Sequence, residues 1–264
     1  RAANAPKWNL LDFNGKEGSI LHDQALRVAI QKGISTEAIT RALLGPMVAN
    51  PTPLGNHIFS LGTPQYKDNS GNIKFNPELA KQELDALGWR QNGEFRAKDG
   101  KTLEVTEVID ANNPISDNIS KLVQAQLKDI GVKNNIQAVP VADFFTSYVN
   151  VGNYDIVGYA FTNTNFPISS SKGIYVLDPN NVAQNYSHVG NDTINRMFQE
   201  AVAELDDTKR VELANQVDAE IWRTGHHLPL YQYPGAVAVR NTVANFGAWG
   251  FQVDYNYVNI GFLP

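Results

Sequence analysis

The chain has 264 residues, of which 42% are hydrophobic and 19% are charged, a composition typical of a folded globular protein. Its 22 basic and 27 acidic residues give a net charge of −5, which argues against a nucleic-acid-binding surface and against a patch for anionic membranes. The longest apolar runs are far shorter than the ~18 residues that a membrane-spanning helix needs. The chain contains no Cys, which excludes Cys nucleophiles, thiolate metal sites and disulfides within it.

Strands and helices are predicted to alternate along the chain. Apolar patterns predict strands at 8–13, 103–108, 132–139 and 154–161, and helices at 19–31, 36–44, 77–87, 116–130, 143–149, 192–203 and 208–223. The strand, helix and strand between residues 103 and 139 form a βαβ unit, so we expect two parallel neighbouring strands, with the strand at 154–161 in the same sheet. The segment 46–75 contains irregularly spaced Pro and Gly and predicts a long loop.

A polar segment at 162–171 follows the apolar strand at 154–161. Ligand sites of open α/β sheets favour the carboxyl ends of strands, which is where this segment lies. Its amides and hydroxyls both donate and accept hydrogen bonds, and Phe161 and Phe166 supply contact area, a combination typical of small-molecule sites. A solvated loop without a ligand explains the same composition, so both interpretations stay open.

Sequence motifs of common enzymes are absent: there is no glycine-rich nucleotide motif, no nucleophile elbow and no zinc-protease motif. Among the five His residues only His226 and His227 are adjacent, and neighbouring positions on a strand point to opposite faces. We therefore expect a structural role for these two residues and no metal site. A hydrolase with Asp143, Asp155 and His188 in one cleft is a minor alternative.

Seven short motifs occur in order between residues 8 and 245. They are D-Q-A-L-R-V-A-I at 23–30, F-N-P-E-L-A-K-Q-E-L at 75–84 with L-G-W at 87–89, Q-A-Q-L-K-D-I-G-V at 124–132, G-N-Y-D-I at 152–156, N-Y-S at 185–187 with Asn191, L-P-L-Y at 228–231 and V-A-V-R at 237–240. In this order and spacing they resemble the C-terminal half of family 5 extracellular solute-binding proteins, the peptide, dipeptide and nickel receptors of ABC importers. The segments 166–171 and 245–251 look most like an actinobacterial branch of lipid-anchored members.

The resemblance implies an α/β fold, namely the C-terminal lobe of a two-lobed periplasmic-binding-protein-like structure of class II, or cluster C. Family members are considerably longer than this chain, so an N-terminal lobe is expected to be missing here. Residues 1–226 would form the ligand-binding lobe. Residues 227–264 would form a terminal arm, rich in aromatic residues, that returns to the absent lobe.

The resemblance also implies the substrate-binding component of an ABC importer, which captures an oligopeptide or similar polar solute between its lobes. The expected partners are this ligand, an ABC-transporter permease and the missing lobe, with no nucleic acid, no cofactor and no catalysis. The expected location is extracytoplasmic, in the periplasm or cell envelope, with a lipid anchor on the absent N-terminus. A receptor-like envelope lipoprotein with a regulatory role is the alternative.

One departure from the family pattern concerns the ligand. Many peptide receptors carry W-x-A-D-Y-x-D-P after the buried strand, and the first Asp of that motif anchors the peptide α-amine. Here Phe161 matches the Trp, Thr164 or Asn165 stands at the Asp, and no carboxylate occurs at 162–171. A neutral polar ligand, such as a capped peptide or a glycoside, fits this pattern better than a free ammonium group. The ligand-binding residues implied are Phe161, Asn163, Thr164, Asn165, Phe166, Asn185 and Tyr186.

Overall fold

The computed structural model describes residues 2–247 and 257–263. The helices are α1 (Gln24–Lys32), α2 (Thr36–Leu44), α3 (Pro77–Ala86), α4 (Pro114–Asp129), α5 (Val141–Asp143), α6 (Pro167–Tyr175), α7 (Asp192–Ala203) and α8 (Asp207–Thr224). The strands are β1 (Ala2–Phe13), β2 (Arg90–Asn92), β3 (Phe95–Lys98), β4 (Lys101–Thr102), β5 (Glu104–Asp110), β6 (Lys133–Val139), β7 (Ile156–Thr162), β8 (His227–Ala236), β9 (Val243–Ala244) and β10 (Gly261–Phe262). A π-helical stretch, Phe144–Val149, continues α5.

Five strands form the central sheet, in the order β6-β5-β7-β1-β8. β5 runs parallel to β6 on one side and to β7 on the other, with Glu107 opposite Ile136 and Ile156. The predicted βαβ unit and the shared sheet of all three strands are therefore confirmed. β1 lies antiparallel between β7 and β8 and closes the other half of the sheet.

The helices begin where the sequence places capping residues. Asn76 accepts a hydrogen bond from the amide of Leu79 and Pro77 opens α3, as predicted. The same Asn-Pro pair, Asn113 and Pro114, starts α4 two residues before the predicted start. The helix predicted at 19–31 is divided, because Asp23 caps α1 and leaves a separate 3-10 turn at Ile20–His22.

The final strand of the sheet comes from the range assigned to the terminal arm. β8 is buried over its first six residues and pairs with β1 along most of its length. The division into a lobe at 1–226 and an arm at 227–264 stays a prediction, but the start of that arm belongs to the central sheet. The aromatic residues Trp249, Phe251 and Tyr255 of the arm lie outside the described residues.

Apolar side chains cover both faces of the central sheet. On one face Leu11, Phe13 and Ile156 pack against α1 to α4. On the other face Trp8 and Tyr159 pack in a second cluster. A third cluster lies between α6, α7 and α8, beside the carboxyl end of β7. No helix of the described residues combines the length and the apolar character that crossing a membrane requires.

Candidate functional site

A cavity of about 580 Å³ opens at the carboxyl end of β7. Its walls come from the loop after β7, the first turn of α6, the segment 59–65 and the facing ends of α7 and α8. Its lining mixes amide and hydroxyl groups with aromatic and aliphatic side chains, and its volume is in the range of small-molecule sites. We call this space the β7 cavity.

Four of the seven predicted ligand-binding residues line the β7 cavity: Asn163, Thr164, Asn165 and Phe166. Asn163 is fixed in the wall, because its Oδ1 accepts a 2.8 Å hydrogen bond from Trp8 Nε1 and its Nδ2 donates a 2.7 Å bond to Ser60 Oγ. These two bonds tie the loop to β1 and to the segment 59–65. Asn163 therefore holds two walls of the cavity together.

The next three residues turn the chain into α6. Thr164 Oγ1 accepts a 3.1 Å hydrogen bond from the amide of Phe166, and Pro167 fits the first helical position. The interpretation of residues 162–171 as a loop is therefore wrong beyond Phe166, because α6 begins at Pro167. Asn165 is exposed and makes no side-chain hydrogen bond to the described residues, and 76% of Phe166 is exposed.

Phe161 and Tyr186 lie outside the β7 cavity, in an aromatic cluster on the face of the sheet. The ring centroid of Phe161 is 5.8 Å from that of Trp8 and 5.3 Å from that of Tyr159. The ring of Tyr186 is 6.1 Å from that of Tyr159 and also faces Phe145, which is 43% exposed. Both predicted residues are half-buried, so they pack against the sheet and leave part of their surface exposed.

Asn185 is buried, with 1% of its surface exposed. Its Nδ2 donates to the carbonyl oxygens of Val176 and Val189. Its Oδ1 accepts from Ser187 Oγ and from the amide of Val189. All of its hydrogen-bonding capacity serves the fold of its own loop. Its assignment to ligand binding stays a prediction that this geometry does not favour.

The structure separates the residues of the hydrolase alternative. Asp143 is exposed and follows β6, at the carboxyl edge of the sheet. Asp155 precedes β7, at the opposite edge, where it accepts hydrogen bonds from the amide of Thr106 and from Ser19 Oγ. Burial raises the pKa of the Asp155 carboxyl, but these bonds identify it as a link between loops and the sheet. Because Asp143 and Asp155 lie at opposite edges of the sheet, the proposed set of Asp143, Asp155 and His188 does not share one cleft.

Arg210 and the segment 59–65 are parts of the cavity that the sequence did not reveal. Arg210 belongs to the first turn of α8 and forms an ion pair with Asp207. Among the described residues that line the β7 cavity it is the one charged side chain. It is far from Asn163 in sequence and carries no motif, so only the packing of α8 beside β7 could locate it.

The two adjacent histidines are close together in the structure. The ring centroids of His226 and His227 are 4.2 Å apart, and both residues are fully buried beside Asp12. The expectation that adjacent positions point apart is wrong here, because β8 begins at His227 and strand alternation does not extend to His226. Gly225, with a φ of 62°, ends α8 immediately before the pair and redirects the chain.

Burial controls the protonation of this pair. It lowers the pKa of His226 well below its usual value, and the neighbouring His227 acts in the same direction. Burial also lowers the pKa of His227, against the attraction of the Asp12 carboxylate. Both imidazoles are therefore neutral at neutral pH, the state in which histidine binds a metal ion.

Comparison with known proteins places the chain in a family. The family model for the middle region of the bacterial extracellular solute-binding proteins, family 5, matches residues 2–214 of this chain. The oligopeptide-binding proteins OppA of Mycobacterium bovis and Mycobacterium tuberculosis are each 45% identical to this chain over 264 residues. That alignment covers 100% of this chain and 44% of the relatives. The chain thus spans less than half the length of these relatives.

Solved structures show the same fold at low sequence identity. The periplasmic EDTA-binding protein EppA superposes with a TM-score of 0.84 at 19% identity, over 100% of this chain and 50% of that protein. The oligopeptide-binding protein AppA from Bacillus subtilis, solved in complex with a nonapeptide, gives 0.82 at 20% identity, over 100% and 52%. The fold is that of one lobe of a periplasmic-binding-protein-like structure, and the chain belongs to the bacterial extracellular solute-binding proteins of family 5.

Proposed function

We propose that the protein containing this chain is the solute receptor of an ABC importer and that it captures an oligopeptide or a similar polar solute. Membership of a solute-binding family supports the receptor role. The names of OppA and AppA and the nonapeptide in the AppA structure support a peptide as the solute. An extracytoplasmic location, a lipid anchor and an ABC-transporter permease as partner belong to the same proposal.

The observation that carries the proposal is the β7 cavity. It lies at the carboxyl end of a buried strand, where open α/β sheets place their ligands. Asn165 offers a side-chain amide that no described residue uses, and Phe166 offers an exposed ring beside it. An amide that can donate and accept, next to an aromatic surface, suits the alternating polar and apolar groups of a peptide.

The charge of the side chains that line the β7 cavity limits the kinds of ligand that it can bind. None of the described residues that line it is acidic, and Arg210, which also pairs with Asp207 outside the lining, supplies a positive charge. This wall therefore offers no carboxylate to a peptide α-amine, whereas it can bind a peptide carbonyl or carboxylate. We propose that the ligand is held by neutral hydrogen bonds and by Arg210, and that any anchor for an amine lies elsewhere in the protein.

The cavity supplies one wall of the proposed site. A cleft ligand usually has most of its surface buried from both sides, so a single wall leaves much of the ligand in water. In the proposed receptor the remainder of the protein supplies the opposite wall. The two lobes then close over the ligand by a hinge motion. We therefore expect the isolated chain to bind the natural ligand weakly or not at all. Calorimetry with equal affinity for the chain and the full protein would contradict this expectation.

Ligand extraction from the full protein tests the proposal. The protein purified from its own host would be denatured and its released small molecules identified by mass spectrometry, and peptides are the expected result. Uptake of the identified peptide should then fall when the gene is deleted and return with the intact gene. Unchanged uptake, together with an envelope defect in the deletion strain, would instead support the regulatory alternative.

A further inference from the structure

The buried histidine pair has unpaired polar atoms that the fold does not explain. Neither ring nitrogen of His227 has a hydrogen-bond partner among the described residues, although the ring is fully buried. Asp12 Oδ1 is also buried without a partner. Burying polar atoms without partners is costly, and such atoms in a native interior point to an occupant between them.

The residues that carry these orphaned atoms lie close together. Asp12 and His227 lie opposite each other on β1 and β8, and His227 Nε2 is 3.6 Å from Asp12 Oδ2. A ligand atom from each of Asp12, His226 and His227 lies within 4.8 Å of the other two. Ligands of a tetrahedral zinc ion, bound at about 2.0–2.2 Å, are about 3.3 Å apart, so small inward movements bring the three atoms into range.

We propose that Asp12, His226 and His227 form a buried site for a divalent transition-metal ion, with Zn²⁺ as its expected occupant. Two imidazoles and one carboxylate are a ligand set suited to Zn²⁺ and related ions. An ion among them satisfies Asp12 Oδ1 and a nitrogen of His227 at once. The three protein ligands leave the fourth tetrahedral position to a water molecule, and the ion's role is to join β1, β8 and the end of α8.

The surrounding residues support the ligands as the outer groups of metal sites do. Tyr159 donates a 2.7 Å hydrogen bond to Asp12 Oδ2, which leaves Oδ1 as the free oxygen. Ser187 Oγ lies 3.1 Å from the ring nitrogens of His226 and donates to Asn185 Oδ1. Such partners orient ligating carboxylates and imidazoles.

This inference is independent of the proposed receptor function. The stoichiometry of zinc bound to the protein tests it. The full protein would be stripped of metal with a chelating resin, mixed with Zn²⁺, desalted and analysed by mass spectrometry for zinc per protein. A resin is preferable to free EDTA, because the structural neighbour EppA is an EDTA-binding protein and a bound chelate would carry metal into a cleft. We expect one retained equivalent of zinc and a higher melting temperature.

Substitutions locate the retained ion. His226→Gln and His227→Gln should each lose the retained equivalent. His57→Gln is the matched control, because His57 is also buried but both of its ring nitrogens are paired, Nδ1 with Asp218 at 2.8 Å and Nε2 with the backbone carbonyl of His227 at 3.3 Å. It should keep the ion even if its melting temperature falls. Co²⁺ bound to the wild-type protein should give a visible spectrum with nitrogen and oxygen ligands, independently of any variant.

Two results would overturn the proposal. If the wild-type protein retained no Zn²⁺ and gave no Co²⁺ spectrum, the orphaned atoms would face water rather than a metal ion. If His226→Gln and His227→Gln retained as much zinc as the wild type, the ion would be bound at the surface or in the ligand cleft.

Discussion

Two polar loops of this molecule use the same residue types in opposite ways. The cavity loop, residues 163–166, presents Asn165 and Phe166 to solvent beside the β7 cavity. The Asn185 loop, residues 176–191 between α6 and α7, is folded around a buried amide whose hydrogen bonds are all made within that loop. An Asn side chain is available to a ligand only where the fold has not already used its polar atoms. The two loops should therefore respond to substitution in different measurements, one in affinity and the other in stability.

The largest effect is expected in the Asn185 loop. Asn185→Ala removes the partners of two carbonyl groups, of the Val189 amide and of Ser187 Oγ. Because buried groups left without partners each cost ~1–3 kcal/mol, the free energy of unfolding should fall by about 3 kcal/mol. Urea unfolding measures this loss. Asn180→Ala is the control, since Asn180 is exposed in the same region. An equal effect of both variants would refute the structural role of Asn185.

A second buried polar group, the carboxyl of Glu107, makes the free energy of unfolding depend on pH. Burial raises the pKa of Glu107 to about 7, against a hydrogen bond from Asn134. The folded protein therefore holds this proton at pH values where the unfolded chain, with its ordinary pKa of 4.5, has lost it. The contribution of Glu107 to the free energy of unfolding falls by about 2 kcal/mol between pH 5 and pH 7.

Glu107→Gln isolates this contribution. The buried His226 and His227 act in the opposite direction, because their lowered pKa makes the folded state less stable as the pH falls. Subtracting the free energy of unfolding of the wild type from that of the variant at each pH removes the histidine contribution, because both proteins share it. The difference should grow in favour of Glu107→Gln by about 2 kcal/mol from pH 5 to pH 7. A constant difference across this range would mean that Glu107 titrates normally in the folded protein.

The smallest effect is expected in the cavity loop, and it is an effect on affinity. Asn165→Ala in the full protein should weaken ligand binding by about 1 kcal/mol, roughly fivefold in Kd, through the loss of one hydrogen-bonding partner. Its melting temperature should not change, because an exposed amide without internal bonds contributes little to stability. Calorimetry beside thermal melts separates the two quantities. A lower melting temperature with unchanged affinity would give this loop the structural role assigned to the Asn185 loop.

The sequence predicted the parts of the fold that depend on local patterns. The start of α3 at Pro77 and the parallel strands around α4 follow from neighbouring residues. The start of α6 was missed, because the polar composition of residues 162–171 hid the helix-starting position of Pro167. The antiparallel pairing of β1 with β8 joins segments more than 200 residues apart, and no local signal in the sequence specifies it.

The candidate site shows the same limit. Asn163 to Phe166 could be located because they follow a recognisable buried strand, whereas Arg210 reaches the β7 cavity only through the packing of α8. The closeness of His226 and His227 was hidden for a related reason. The left-handed Gly225 redirects the chain between helix and strand, and strand alternation cannot describe that junction.

A crystal structure of the full protein with its extracted ligand tests the central claim most directly. The account predicts that the ligand lies in the β7 cavity, within hydrogen-bond distance of Asn165 and in contact with Phe166, while Asn185 keeps its internal bonds. A ligand that contacts Asn185 and leaves the residues of the cavity loop in water would contradict it.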